Sequence, residues 1–188
     1  MSDLTDELIK DARERMGKSV EATQGEFTSV RTGRASPSLL DRIMVDYYGA
    51  QTPLKQMATI NAPEARLLSI QPYDKSSMKA IERAIQESDL GLTPNNDGAM
   101  IRLQIPEMTE ERRREMVKVA RNVAEEGRVA IRNIRRDVMH DLRELRDAGE
   151  AGSDDEHRAE DALQKLTDEK VADVDAALKA KEAEILEV

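Results

Sequence analysis

The sequence predicts an α+β fold in which a three-helix bundle carries a small inserted β/α/β domain. Three long segments place apolar side chains at steps of three and four, the spacing of one helical face. Between the first and the second of these segments the spacing changes to two, which is typical of strands. We therefore predict a bundle formed by residues 1–30 and 107–188 and an inserted domain formed by residues 31–106.

The first predicted helix covers residues 2–30, with Ser2 as its N-cap. Its apolar face continues for about seven turns. It contains Leu4, Leu8, Ala12, Met16, Val20, Thr23, Phe27 and Val30.

The second predicted helix begins after Pro106, with Thr109 as its cap and two glutamates in its first turn, where they favour the helix dipole. Its predicted core face contains Met116, Val119, Val123, Gly127, Ala130, Ile134, Val138, Leu142 and Leu145. The third predicted helix opens with a capping box at Ser153–Glu156. Its core face contains Leu163, Leu166, Val171, Val174, Leu178 and Ile185. The short connection between these two helices predicts that they are antiparallel neighbours.

The insertion is predicted to contain a hairpin at 43–54, strands at 67–70 and 101–105, a helix at 75–88 and a turn at 94–98. Two crossings of the chain, at 31–37 and 104–106, join it to the bundle and are predicted to form a paired hinge. A simpler interpretation is that Gly33 and Pro37 only end the first helix. The predicted hinge residues are Arg31, Thr32, Gly33, Arg34, Ala35, Ser36, Pro37, Gln104, Ile105 and Pro106.

The composition argues against several functional classes. The chain has no cysteine, only 2% aromatic residues and 36% charged residues, which favours long solvated helices over a large aromatic pocket. Its apolar runs are too short for a membrane span, and its start lacks the features of a signal or transit peptide. We expect a soluble, cytoplasmic protein with no membrane partner.

Catalytic motifs are also missing. The sequence contains neither a phosphate-binding loop, nor a dinucleotide fingerprint, nor a zinc-protease motif. His140 and His157 could form a catalytic or metal pair near a turn, but two solvated helix histidines are the favoured interpretation, because metal sites need several convergent ligands. We predict a protein that is not an enzyme and that needs no cofactor or metal.

The most informative pattern is the distribution of arginine on the second long helix. The whole chain has a net charge of −9, yet residues 109–147 carry 11 basic and 9 acidic groups. At 100° per residue, eight arginines lie within about 60° of Arg121, and the predicted core face centres near about 220–240°. Because arginine forms two-point contacts with phosphate, this stripe predicts RNA binding. An ordinary solvated face is the simpler interpretation. The stripe contains Arg114, Arg121, Arg128, Arg132, Arg135, Arg136, Arg143 and Arg146.

Several blocks of the sequence resemble the ribosome recycling factor family, and the resemblance covers nearly the whole chain. Thr93, where many relatives would have Asn, is a small departure within a turn. The matching blocks are residues 31–37, 88–92, 109–113, 128–137, 164–167 and 181–184, with Leu103 and Pro106.

The resemblance implies an L-shaped molecule that binds the post-termination ribosome and, with elongation factor G and GTP, promotes subunit splitting. It implies contact with large-subunit ribosomal RNA through the arginine-rich helix, GTP hydrolysis by the partner, and a monomer. An alternative is a helical adaptor that binds protein through the acidic third helix, with the arginines serving as an ion-pair surface. An enzyme with a histidine-based site is the third interpretation. The predicted RNA-binding residues are Arg114, Arg121, Arg128, Arg132, Asn133, Arg135 and Arg136.

Overall fold

A computed structural model describes residues 3–187 of the chain. The chain forms two compact units, one containing the residues up to Val30 and from Arg113 onward, the other containing Arg31–Arg112. The first unit is a bundle of long helices and the second is a small sheet domain, so the predicted α+β class is confirmed. The second boundary lies within the first turn of a helix, six residues after the one predicted at 107.

The elements follow one another in a simple order. Short 3-10 helices at Pro37–Leu40 and Lys75–Ser77 accompany the larger elements. In chain order these are α1 (Asp3–Ser29), β1 (Met44–Tyr47), β2 (Ala50–Pro53), α2 (Leu54–Met57), β3 (Ala58–Glu64), β4 (Leu67–Pro72), α3 (Met78–Gln86), β5 (Pro94–Asn96), β6 (Ile101–Gln104), α4 (Glu110–Asp147) and α5 (Ser153–Leu186).

Helix α1 buries most of its predicted face and packs along α5. The buried set contains Ala12, Met16, Val20, Thr23 and Phe27, while Leu4 is exposed. The predicted cap Ser2 lies outside the residues that the structure describes.

Helix α4 contains 38 residues and is therefore about 57 Å long. Thr109 caps it as predicted, because its Oγ1 accepts a hydrogen bond from the backbone N–H of Arg112 at 3.2 Å. Its core face differs from the predicted one: Val119 is exposed, and four residues outside the predicted set are buried, namely Val117, Ala120, Ala124 and Ile131. The buried face is centred near about 260°, so it is rotated toward the arginines.

Helices α1 and α4 approach each other closely at Gly127. An added Cβ at this position would lie 2.3 Å from Thr23 Oγ1 and 3.2 Å from Thr23 Cβ. Glycine is therefore needed here for packing between helices, although it lowers intrinsic helix stability.

The capping box predicted at Ser153 is wrong. Gly152 occupies the N-cap position, and its carbonyl oxygen accepts from the N–H groups of Asp155 and Glu156 at 3.0 Å each. The Glu156 carboxylate does not return to the backbone, because it is buried and accepts two hydrogen bonds from Arg146 Nη1 at 3.0 and 3.1 Å. This glutamate therefore links α5 to α4.

The small domain contains two antiparallel sheets. The predicted hairpin is present as β1 and β2, and its turn uses positive φ values at Tyr48 and Gly49 (51° and 80°). The larger sheet has the order β3-β4-β6-β5. Its two central strands were predicted, but its edge strands were not, and Pro94–Asn96, predicted as turn, belongs to β5. Helix α3 buries Met78, Ile81 and Ile85 as predicted.

Candidate nucleic-acid interface

The sequence predicted that the arginines of α4 lie opposite the core. This prediction is wrong. The buried face of the helix extends to Val117, which has the same angular position as Arg135. One side of the arginine stripe therefore borders the helical core and the other side faces solvent. This divides the predicted RNA-binding residues into two groups.

The inner group contacts α5. Arg121 Nε lies 2.6 Å from Glu182 Oε1, and Arg128 Nη1 lies 2.5 Å from Asp175 Oδ1. Arg135 Nη1 donates to Gln164 Oε1 at 2.8 Å. Nε of the same arginine is buried and has no hydrogen-bond partner among residues 3–187. Arg146 makes the pair with Glu156 described above. These arginines therefore connect α4 to the acidic third helix of the bundle.

The outer group is exposed. Arg132 Nη1 lies 3.2 Å from Glu125 Oε1, and half of its side chain is accessible. Arg136 Nη2 donates to Asn133 Oδ1 on the same helix. Further along the same stripe lie Arg114 and Arg143, both exposed. The outer group presents several guanidinium groups to solvent, as RNA phosphate binding requires.

Glu125 is the acidic residue within the stripe. Its Oε2 accepts from Arg128 Nε at 2.9 Å, while its other oxygen accepts from Arg132. The hydrogen bond from Arg128 is the main cause that lowers the pKa of Glu125 below its usual value, and Arg132 adds to it. Burial alone would lower the pKa of Arg128, but the hydrogen bonds to Glu125 and Asp175 outweigh it and raise the pKa above its usual value. The charged forms of Glu125 and Arg128 therefore stabilise each other.

The predicted hinge residues all lie in the small domain. Both crossings bond to the same turn between β3 and β4: the N–H of Ala35 donates to the carbonyl of Ala65 at 2.7 Å, and that of Ile105 to the carbonyl of Arg66 at 2.8 Å. Ser36 caps the 3-10 helix that begins at Pro37.

The remaining crossing residues make fewer contacts with the sheet. Gln104 is the last residue of β6, and Pro106 follows the anchored Ile105. Arg31 Nη2 reaches the carbonyl of Asp89 at 3.5 Å, and Thr32 Oγ1 accepts from the N–H of Arg34. Gly33 has a φ of 76°, and a Cβ added there would lie 3.3 Å from Met108 Cγ. Among the crossing residues, Ala35 and Ile105 therefore make backbone hydrogen bonds to the 65–66 turn. Glu107, which follows the second crossing, pairs with Arg66 of that turn through its side chain at 2.5 Å.

The two histidines are not brought together with further ligands. Each is highly exposed and faces a glutamate on its own helix, His140 at 3.3 Å from Glu144 and His157 at 3.6 Å from Glu160. Residues 3–187 contain no group of three or more His, Asp or Glu side chains that could hold a metal ion. Within the same part of the chain, no helix has both the length and the apolar character needed to cross a membrane.

The model of the ribosome recycling factor family matches residues 23–186. A ribosome-recycling factor from Rubrobacter xylanophilus is 57% identical over 188 residues, which is the full length of both chains. The chain belongs to the ribosome recycling factor family. The Bacillus subtilis ribosome-recycling factor is 51% identical over 98% of this chain and 100% of its own.

Solved structures of the ribosome recycling factor family agree with this assignment. A solution structure of a ribosome recycling factor is similar with a TM-score of 0.82, 40% identity and full coverage of both chains. Models of the T. thermophilus ribosome recycling factor, bound with E. coli elongation factor G to the E. coli post-termination complex, give a TM-score of 0.68 and 47% identity. That similarity covers 97% of this chain and 98% of the other.

The partners of the inner arginines on α5 are the functional detail that sequence reasoning missed. Asp175 and Glu182 contact the stripe from a segment, residues 148–188, that carries 13 acidic and 5 basic groups. This charge asymmetry beside a basic helix was the available signal. It indicated an ion-pair surface, but the sequence alone did not show which arginines took part.

Proposed function

We propose that this chain is a translation factor that binds the post-termination ribosome and, with elongation factor G and GTP, promotes subunit splitting. The observation that carries the proposal is the 57% identity to a ribosome-recycling factor over the full length of both chains. The similarity to a ribosome recycling factor placed with elongation factor G on a post-termination complex supports the choice of partners.

The outer arginines of α4 are proposed to contact large-subunit ribosomal RNA. Arg132 and Arg136 are exposed and belong to one stripe with Arg114 and Arg143. The inner residues Arg121, Arg128 and Arg135 are proposed to hold α4 on α5 and to contribute to RNA binding mainly through their charge. The strongly acidic remainder of the protein disfavours RNA binding elsewhere on its surface.

The mechanism is proposed to be movement between the two units rather than catalysis. GTP is proposed to be hydrolysed by elongation factor G, as the family resemblance implies, and the lack of a phosphate-binding loop in this sequence agrees with that. Ala35 and Ile105 are hydrogen-bonded to the small domain, so we place the flexible positions at residues 31–34 and 106–109. A few dihedral angles in such segments can absorb a large rotation. The protein is proposed to act as a cytoplasmic monomer and not as an enzyme.

A helical adaptor that binds protein remains the second candidate. The contacts of Arg121 with Glu182 and of Arg128 with Asp175 favour it, because they use part of the arginine stripe within the molecule. This candidate predicts that the outer arginines contact acidic protein instead of RNA.

Co-sedimentation with ribosomes and with isolated subunits, at low and moderate salt, tests the proposal. We expect the chain to sediment with ribosomes and with the large subunit, and to dissociate as salt rises, since phosphate contacts release counterions. A GTPase assay of the chain alone should give no activity. Failure to sediment with the large subunit at low salt would favour the adaptor instead.

A further inference from the structure

Glu125 occupies the position between two guanidinium groups where a phosphate would bind. Its two carboxylate oxygens are used by different arginines, Oε2 by Arg128 Nε at 2.9 Å and Oε1 by Arg132 Nη1 at 3.2 Å. Charge-assisted bonds from arginine to carboxylate and to phosphate use the same donors and similar geometry. An RNA phosphate that approaches these donors must therefore displace the carboxylate or bind beside it.

The contacts of the two arginines differ on the side away from Glu125. Arg128 is 18% exposed and is also held by Asp175 of α5 at 2.5 Å. Arg132 is 50% exposed, and among residues 3–187 its only ion pair is the one with Glu125. Loss of the Glu125 contact therefore leaves Arg128 attached to α5 and makes the donors of Arg132 available.

We propose that Glu125 is a specificity-determining residue, an internal anion that competes with phosphate for Arg128 and Arg132. The inference rests on the proposed function, because it takes this stripe as the RNA-binding surface. The phosphates of unstructured RNA are not held at fixed positions. The Glu125 carboxylate therefore competes effectively with them for the arginine donors. A folded ribosomal RNA surface presents phosphates at fixed positions to several arginines at once. These phosphates can bind through the donors of Arg132 that Glu125 does not use and through the other outer arginines.

The substitution Glu125→Gln tests the proposal, with Glu126→Gln as its matched control. Both changes remove one negative charge from neighbouring exposed positions. Glu126, however, lies about 100° further around the helix, and among residues 3–187 its exposed side chain has no ion-pair or hydrogen-bond partner. Binding of a labelled oligouridylate is measured by fluorescence anisotropy over a salt series, and ribosome binding by co-sedimentation.

We expect Glu125→Gln to bind oligouridylate about fivefold more tightly than Glu126→Gln at about 0.1 M salt. The slope of the logarithm of its binding constant against the logarithm of salt concentration should be steeper by about 0.7, the value for one added phosphate contact. Its ribosome affinity should change by less than about twofold, so the ratio of ribosome to oligouridylate affinity falls. In a Glu125→Gln, Arg132→Ala double variant the gain for oligouridylate should largely disappear.

Equal oligouridylate binding by the two single variants would overturn the proposal, because charge alone would then explain the effect. Weaker binding of both ligands by Glu125→Gln would also overturn it, since the carboxylate would then position the arginines instead of competing with phosphate. The oligouridylate measurement needs no ribosome. It can therefore fail while ribosome binding and splitting are intact, which separates this proposal from the proposed function.

Discussion

Replacing Gly127 with alanine tests the helix packing directly. The new Cβ would lie 2.3 Å from Thr23 Oγ1, 3.1 Å from Thr23 Cγ2 and 3.2 Å from Thr23 Cβ. Rotation of the Thr23 side chain would move Oγ1 away, but it would break the hydrogen bond of the hydroxyl to the Ser19 carbonyl at 2.9 Å. The rotation would also leave Thr23 Cβ at 3.2 Å, because Cβ does not move with it. The helices must therefore separate slightly.

Two opposing effects determine the magnitude. Alanine stabilises a helix interior by about 1 kcal/mol relative to glycine, whereas overpacking of a well-packed core costs about 1–3 kcal/mol. Thr23 Oγ1 would lie far inside normal separations and Thr23 Cβ would also be too close. We therefore expect the clash to dominate and the free energy of unfolding to fall by about 1–2 kcal/mol. Urea unfolding followed by circular dichroism at the helix band measures this change.

Gly25→Ala in α1 is the matched control, because a Cβ added there meets nothing within 4 Å. It should raise the free energy of unfolding by about 0.5–1 kcal/mol. Thr23→Ala combined with Gly127→Ala should recover most of the loss, since it removes the two atoms nearest to the new methyl group. A Gly127→Ala variant as stable as Gly25→Ala would refute the packing described here.

Three further predictions concern binding, the crossings and pH. Arg132→Ala should weaken ribosome binding and make the dependence of log affinity on log salt concentration shallower by about 0.7–0.9. Its free energy of unfolding should change by less than about 0.5 kcal/mol. Co-sedimentation and thermal unfolding measure these effects, with Arg158→Ala on α5 as the control. Gly33→Ala should destabilise the small domain by about 1–2 kcal/mol, because a φ of 76° is unfavourable for alanine; hydrogen exchange of the sheet amides measures this. Asp97 should titrate in carboxyl NMR at about pH 2, because its carboxylate accepts from the N–H groups of Met100 and Ala99 and from Arg102.

Each of these predictions has a contrary outcome. Equal loss of binding in Arg132→Ala and Arg158→Ala would mean that total charge, and not the stripe, determines affinity. Unchanged amide protection in Gly33→Ala would show that the crossing adopts another conformation. For Asp97 the pKa in the folded protein is lowered, so its stabilising contribution is present above pH 3.8 and is lost as the pH falls toward about 2. A midpoint near 3.8 would contradict the hydrogen bonds at this turn.

The sequence predicted the elements whose apolar residues follow a regular period. Helix α1 and the central strands β4 and β6 were found because one face of each is buried. The two strands that were missed, β3 and β5, form the edges of the larger sheet. Pro63 and Pro94 lie in these strands, and proline is compatible with an edge although it normally argues against a strand. Edge strands bury few side chains, so their apolar pattern is weak.

The orientation of α4 was only partly predictable. Small residues such as Ala120 and Ala124 contribute little to a hydrophobic pattern, yet they are buried in the structure. The predicted core face omitted these two alanines together with Val117 and Ile131, and this displaced its centre away from the arginines. The division of the arginines into inner and outer groups depends on this rotation and on α5, so it required the structure.

This division also changes how the RNA-binding surface should be tested. A variant that removes Arg128 together with Arg132 would alter both the α4–α5 contact and the outer face, because Arg128 pairs with Asp175. Loss of a bond between charged groups at a half-buried site costs about 1–2 kcal/mol. Substitutions limited to Arg132, Arg136 and Arg143 separate binding from stability.

The proposal that this chain promotes ribosome splitting is tested by following the splitting of post-termination ribosomes by light scattering in a stopped-flow instrument. We expect the scattering to fall rapidly only when this chain, elongation factor G and GTP are all present. Arg132→Ala should slow the fall when the variant is at subsaturating concentration. Scattering that remains constant with all three components, or that falls equally fast without this chain, would contradict it.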